Sequence, residues 1–135
     1  MKINYPALYA IAVGLFLALD GVWLGLIAKK LYATELKGLM TNNVKWGAAL
    51  LFYALFVGLL IYFAISPALQ AQSLGMAIQK GALFGLATYA TYDLTNYATL
   101  KGFPLKIVVL DMIWGTLLSG MVATFAYILY TKILG

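Results

Sequence analysis

The sequence predicts an all-α polytopic membrane protein, a single domain over residues 1–135 built as a bundle of four transmembrane helices. Three observations point there. The 135-residue chain is 64% hydrophobic and only 10% charged, whereas a soluble domain carries about 25% charged residues. Its apolar residues gather into four stretches, at about residues 5–28, 46–65, 76–100 and 105–130. Each is near the roughly 20 residues needed to cross a hydrocarbon core about 30 Å thick. The stretches are continuous rather than alternating, which favours helices over a closed barrel.

The first stretch, from about Tyr5 to Ala28, is too long for a cleaved signal peptide, lacks a basic run before it and holds Asp20. In the connection that follows, Leu31, Tyr32, Leu36, Leu39 and Met40 fall near helical spacing among lysines, the pattern of a short interfacial helix. The second stretch, Trp46 to Ile65, carries no charged or amide side chain, and its only hydroxyls are Tyr53 and Tyr62. It is expected to face lipid, outside any polar site. Ser66-Pro67 is expected to end it, because proline disfavours helical geometry at the preceding residue. The third stretch, from about Met76 to Leu100, breaks at Lys101-Gly102-Phe103-Pro104. Pro104 suits the first turn of the fourth, Leu105 to Tyr130.

All nine basic residues are lysines, and they give the net charge of +5. Lys29, Lys30, Lys37, Lys45, Lys101 and Lys106 lie in the first and third connections, against Lys2, Lys80 and Lys132 on the other side. This bias is a topology signal rather than a nucleic-acid footprint, and it places both termini outside the cytoplasm. No nucleic-acid partner is expected. The absence of cysteine and histidine removes disulfides, thiolate chemistry and the commonest metal ligand. Neither a metal nor a cofactor is expected, and no nucleotide loop or Ser-His arrangement is present.

Asp20, Asp93 and Asp111 each interrupt an apolar stretch. One aspartate near a helix centre costs about 2.5–3.5 kcal/mol on insertion, against about −0.3 to −0.6 for a large apolar residue. The three lie nine, eight and five residues from Lys29, Lys101 and Lys106 respectively, or about 13, 12 and 7 Å along a helix. Although their helices alternate in direction, all three therefore fall in the cytoplasmic half of the membrane, where one site can hold them. Intramembrane carboxylates of this kind mark proton relays, ion paths or substrate paths.

The third stretch surrounds Asp93 with polar groups. Tyr89, Asp93, Asn96 and Tyr97 share one helical face, and Thr88, Tyr92, Thr95 and Thr99 an adjoining one. Threonine and asparagine also serve as glue between membrane helices. Asp20 and Trp23, and likewise Asp111 and Trp114, stand three residues apart, so carboxylate and indole share a face. An acid beside an aromatic ring suits a cation; the alternative is that each indole N–H satisfies a carboxylate, or that the tryptophans belong to an interfacial belt. The ligand- or proton-binding set expected from these patterns is Asp20, Asp93, Asp111, Asn96, Trp23, Trp114, Tyr89 and Thr95. Gly14, Ala18, Gly21 and Gly25, then Gly81 and Gly85, then Gly115 and Ser119 give the small-residue faces of close helix packing.

Thr91-Tyr92-Asp93-Leu94-Thr95-Asn96, Ala98-Thr99-Leu100-Lys101, Pro104, Asp111-x-x-Trp114-Gly115 and Leu19-Asp20-x-x-Trp23-Leu24-Gly25 together resemble a family of small four-helix bacterial membrane proteins of unknown function. Phe103 stands where that pattern leads one to expect tryptophan. The resemblance covers nearly the whole chain and implies four helices and a bacterial membrane, with no activity attached; the membrane expected is the bacterial cytoplasmic (inner) one. From the residues, the leading expectation is proton- or organic-cation-linked transport or binding, with the lipid bilayer and a small cationic or lipid-like ligand as partners and self-association left open. The alternatives are an intramembrane enzyme that works on a lipid or isoprenoid with two carboxyls as acid and base, and an accessory or structural subunit. The enzyme is the less favoured reading.

Overall fold

The computed structural model describes residues 2–135, and every regular element among them is helical. Helix α1, Tyr5–Val22, runs on through a π-helical turn, Trp23–Ile27, into the short helix α2, Lys29–Glu35. Helix α3, Trp46–Leu60, passes through a second π turn, Ile61–Ile65, into α4, Ser66–Ala71. Helices α5, Leu74–Thr99, and α6, Leu105–Ile133, complete the fold.

The ends follow local chemistry. Asn4 caps α1, its Oδ1 accepting the Ala7 amide at 3.2 Å, with Pro6 in the first turn. Ser73 caps α5 by accepting from the Met76 amide at 3.1 Å. Pro104 precedes α6 in an extended conformation.

The second stretch does not end at Ser66-Pro67. It continues to Ala71 and stops where Gln72 turns left-handed, at φ 52°. Proline lacks an N–H and its ring crowds the preceding turn. The π turn immediately before it widens the backbone there, and the helix absorbs Pro67 rather than breaking.

Three helical runs, Tyr5–Ile27, Trp46–Ala71 and Leu105–Ile133, are long and apolar enough to cross a membrane. Helix α5 is 26 residues long but is diluted by its run of Thr, Tyr, Asp and Asn. Three of its four threonines bond within the helix: Thr88 donates to the Phe84 carbonyl (2.8 Å), Thr91 to that of Ala87 (2.7 Å) and Thr99 to that of Thr95 (2.7 Å). Each hydroxyl is satisfied within its own helix.

Helices α5 and α6 form the most intimate pair. A Cβ on Gly81 would meet Ala123 and the Ser119 carbonyl, one on Gly85 would overlap the Gly115 carbonyl, and one on Gly115 would fall inside the Tyr89 ring. Small residues thus let two backbones approach to van der Waals contact, as membrane helices require where water supplies no drive for association. Helix α1 packs on α6 and α3, whereas α3 reaches α5 and α6 chiefly through its π turn. The core joins Leu8, Ala12 and Phe16 of α1 with Phe56, Leu60 and Ile65 and with Leu118, Val122 and Ala126 of α6. At the opposite end of α6, Leu31, Tyr32 and Leu36 lie on the group of Phe103, Ile107 and Val108. The expected interfacial helix therefore exists, but it ends at Glu35, and Leu39 and Met40 remain exposed beyond it.

Candidate functional site

The three aspartates come from three helices, α1, α5 and α6, and converge on one buried cluster. Asp20 is 7% exposed. Its Oδ1 accepts from Trp114 Nε1 at 3.1 Å and its Oδ2 from the Tyr53 hydroxyl at a longer 3.4 Å. Trp114 stacks on Trp23, with ring centroids 4.7 Å apart and an interplanar angle of 10°. Trp23 Nε1 donates to the Tyr32 hydroxyl at 3.1 Å, and Tyr32 donates in turn to Asp111 Oδ1 at 2.8 Å. The Asp93 carboxyl lies against that of Asp111. A continuous chain of contacts thus runs from Tyr53 through Asp20, Trp114, Trp23, Tyr32 and Asp111 to Asp93.

The indoles do bond to neighbours, but not to the acids three residues away on their own helices. Trp114 serves Asp20 across the bundle, and Trp23 serves a tyrosine. Stacking covers one face of each ring, and the Trp114 N–H satisfies a carboxylate, as one of the two sequence readings of the indoles has it, although the acid is Asp20 rather than Asp111. Asp20 and Trp23 keep their helical spacing on α1, where the Trp23 amide still bonds back to Leu19; the π turn that begins at Trp23 shifts the register of the residues after it, which lead into α2.

Two functional residues escape the sequence reading. Tyr53 was legible only as one of two hydroxyls on a helix expected to lie outside the site, and Tyr32 only as an apolar position of an interfacial helix. The second stretch is not outside: Tyr53 turns inward to Asp20 and the exposed Phe52 lines the rim of the cavity, while Leu51, Leu55, Leu59 and Tyr62 cover its exposed side. Period-3.6 reading finds no polar stripe here because the inward face of α3 is aromatic. Tyr32 lies on α2, outside the spans. Burial first, and then the Asp111 carboxylate, push its phenol above its ordinary value, so it remains a hydrogen-bond donor at physiological pH.

The remaining expected residues divide. The half-buried Tyr89 ring seats on Gly115, and its hydroxyl is within electrostatic reach of Asp20, Asp111, Tyr53 and Tyr32, at the centre of the cluster. The side chain of Asn96 lies one turn from Tyr92 and interacts with that hydroxyl rather than with a carboxyl. Thr95 is exposed on α5 and does not join the cluster.

Asp93 differs from the other acids. It is 0% exposed, and neither carboxyl oxygen has a hydrogen-bond donor among the described residues. No lysine pairs with any of the three aspartates; the ion pair seen among the described residues joins Lys106 to Glu35 at 3.9 Å, at the surface. Asp111 is half-buried and forms part of the wall of a cavity of about 240 Å³, together with Phe52, Thr88, Tyr89 and Tyr92. No group of metal-ligating side chains is present among the described residues.

A family model described as a predicted membrane protein, DUF2177, matches residues 5–128. The chain belongs to this family. Membership makes it a membrane protein of a family without an assigned function, in keeping with its three long apolar helices. Neither the curated proteins nor the solved structures contain a match.

Proposed function

We propose that this DUF2177 protein is a small intramembrane binding or carrier protein in which the Asp93–Asp111 pair exchanges a proton for an organic cation. One observation carries the reading: a fully buried carboxyl with no donor, pressed against a second carboxyl that faces a cavity, with no basic residue beside either. Two adjacent carboxylates repel strongly in a low-dielectric setting. A proton shared between them turns the contact into a short hydrogen bond. A bound cation does the same work by charge. Either occupant relieves the repulsion, so the pair suits an exchange between the two.

The cavity fits this role. Its walls are aromatic and apolar apart from Asp111 and Thr88, and aromatic faces attract cations, most strongly when water is excluded. In this reading α5 is the fourth span, three of its four threonines silenced by their own helix. The lysine bias sets the acids in the cytoplasmic half of a bacterial inner membrane, with both termini outside.

Purified protein in lipid nanodiscs, titrated with a panel of organic cations in weak buffer, tests the exchange. A cation that binds should release protons, about one per site. Asp93→Asn should remain folded and bind without that release, because the shared proton is gone. An Asp93→Asn protein that releases protons as the wild type does removes the pair from the mechanism. A stable wild type that binds no cation removes the exchange altogether.

A further inference from the structure

Access to the cavity depends on which walls are closed. The end of α6 that carries Asp111 is covered by α2, whose Leu31, Tyr32 and Leu36 pack on the group of Phe103, Ile107 and Val108, and Tyr32 is bonded to Asp111 itself. The α1 side is closed by the stacked tryptophans and by Asp20. The α5–α6 side is sealed by backbone-to-backbone packing at Gly81, Gly85 and Gly115.

The α3–α5 side is different. Above Phe56, which meets Phe84 and Tyr89 at centroid distances of 5.3 and 6.1 Å, α3 stays near α5 through its π turn. Toward Trp46 the helix keeps company with α1 and diverges from α5. The cavity lies in that divergence, and the two aromatic residues that flank it from opposite helices, Phe52 and Tyr92, are 46% and 59% exposed.

Depth decides what this opening meets. Phe52 is six residues inside the start of α3 and Tyr92 seven from the end of α5, or about 9–10 Å along each helix. Helix α5, at 26 residues, is about 39 Å long, against a hydrocarbon core of about 30 Å. With α5 as the fourth span, as proposed above, and centred in the bilayer, the mouth between the two rings faces acyl chains, about 5 Å inside the hydrocarbon boundary. The end of the bundle nearest the acids carries Lys29, Lys30, Lys37, Lys45 and Lys101, all exposed, and these repel a free cation approaching from water.

Resting on the cation-binding reading above, we infer that the site takes an amphiphilic amine from the lipid phase: its ammonium headgroup passes between Phe52 and Tyr92 to Asp111, and its alkyl or acyl tail stays in the bilayer. The volume agrees. At about 240 Å³ the cavity is smaller than the roughly 300–1,000 Å³ of sites that enclose a drug-sized ligand. It holds a headgroup and leaves the tail outside. The tail also supplies binding through its partition into lipid, so the headgroup need not bind tightly by itself.

The probe is a long-chain primary alkylamine bearing a photoreactive diazirine near its nitrogen, in nanodiscs of zwitterionic lipid with empty nanodiscs as the background. Labelling should saturate and map to α3 around Phe52 and α5 around Tyr92. Unlabelled dodecylamine and lysophosphatidylethanolamine, each in excess, show whether a simple surfactant or an aminophospholipid is the better competitor. Displacement by either supports the inference. Asp111→Asn keeps the oxygen that accepts from Tyr32 and removes the charge, so it should weaken saturable labelling by about tenfold or more. Phe52→Trp narrows the mouth without touching the acids and should slow labelling.

Failure of this inference is distinguishable from failure of the proton–cation exchange. If tetramethylammonium and a short water-soluble amine compete as well as the long-chain compounds, entry from lipid is wrong while cation binding stands. Labelling that maps to α2 or to the residue 36–45 connection overturns the side entrance in favour of an aqueous one. Saturable labelling unchanged by Asp111→Asn in a stable protein shows that the carboxyl does not receive the amine.

Discussion

The two ends of the polar chain are built from the same residue type and treated in opposite ways. At the α1 end, Asp20 accepts from an indole and a phenol and is enclosed by the aromatic core. At the α5 end, Asp93 is more deeply buried and has no donor. A buried acceptor with its donors in place acts as structure: removing it strands the donors. A buried acceptor without one stays costly until something arrives from outside. The contrast separates an aspartate bonded across helices from one whose carboxyl has no donor among the described residues, the one to which the proposal assigns exchange; residue type alone conceals the distinction.

The strongest way to break the contrast is to disturb what lies between the ends. Tyr89 sits on Gly115 in the middle of the cluster, and a methyl group there would overlap its ring. Gly115→Ala should cost about 3 kcal/mol, at the upper end for overpacking, and should abolish the cavity. Thermal unfolding in a fixed detergent, paired with ligand titration, checks both. A variant of unchanged stability and binding would mean that Tyr89 does not organise the site.

Asp20→Ala comes next. It leaves the Trp114 N–H and the Tyr53 hydroxyl without an acceptor, at an expected loss of about 1–3 kcal/mol. Tryptophan emission should change with it, since the Trp23–Trp114 stack loses its anchor. If Asp20→Ala is as stable as the wild type, Asp20 is no staple and the contrast collapses.

Tyr32→Phe removes the hydroxyl that accepts from Trp23 and donates to Asp111, while the ring still packs on α6. An effect of about 1 kcal/mol is expected, near the net value of an ordinary hydrogen bond. Faster hydrogen exchange confined to α2 would show that the tyrosine pins this helix over the acids; uniform exchange across the chain would argue against that role.

The smallest effect on stability belongs to Asp93→Asn. No donor is lost, a buried charge is avoided, and the new amide can donate to Asp111, so the protein should melt at or slightly above the wild-type temperature. A loss of several degrees would place Asp93 with Asp20 as structure. Asp20→Ala and Asp93→Asn together sharpen the comparison, because opposite signs on stability are expected from two buried aspartates in one membrane domain.

Composition and hydropathy were enough to establish the membrane class and the helical character, because a chain with so little polar surface cannot cover a globule in water and lipid tolerates few backbone arrangements. The grouping of Asp20, Asp93 and Asp111 was also legible, because their similar distances from the flanking lysines let one site hold all three. Helix packing decided the rest. The π turns at Trp23–Ile27 and Ile61–Ile65 leave no mark in the 3.6-residue period, yet one leads α1 into α2, which carries Tyr32, and the other carries a helix past Pro67. Tyr53 looks like an ordinary lipid-facing aromatic, and Tyr32 like an apolar position of an interfacial helix, until neighbouring helices bring them to a carboxyl. Which acid received donors and which did not depended on contacts across three helices, and a linear pattern holds only the spacing within each. The sequence could therefore point to three carboxyls that one site can hold, but only the tertiary structure could show that one of them has no donor among the described residues.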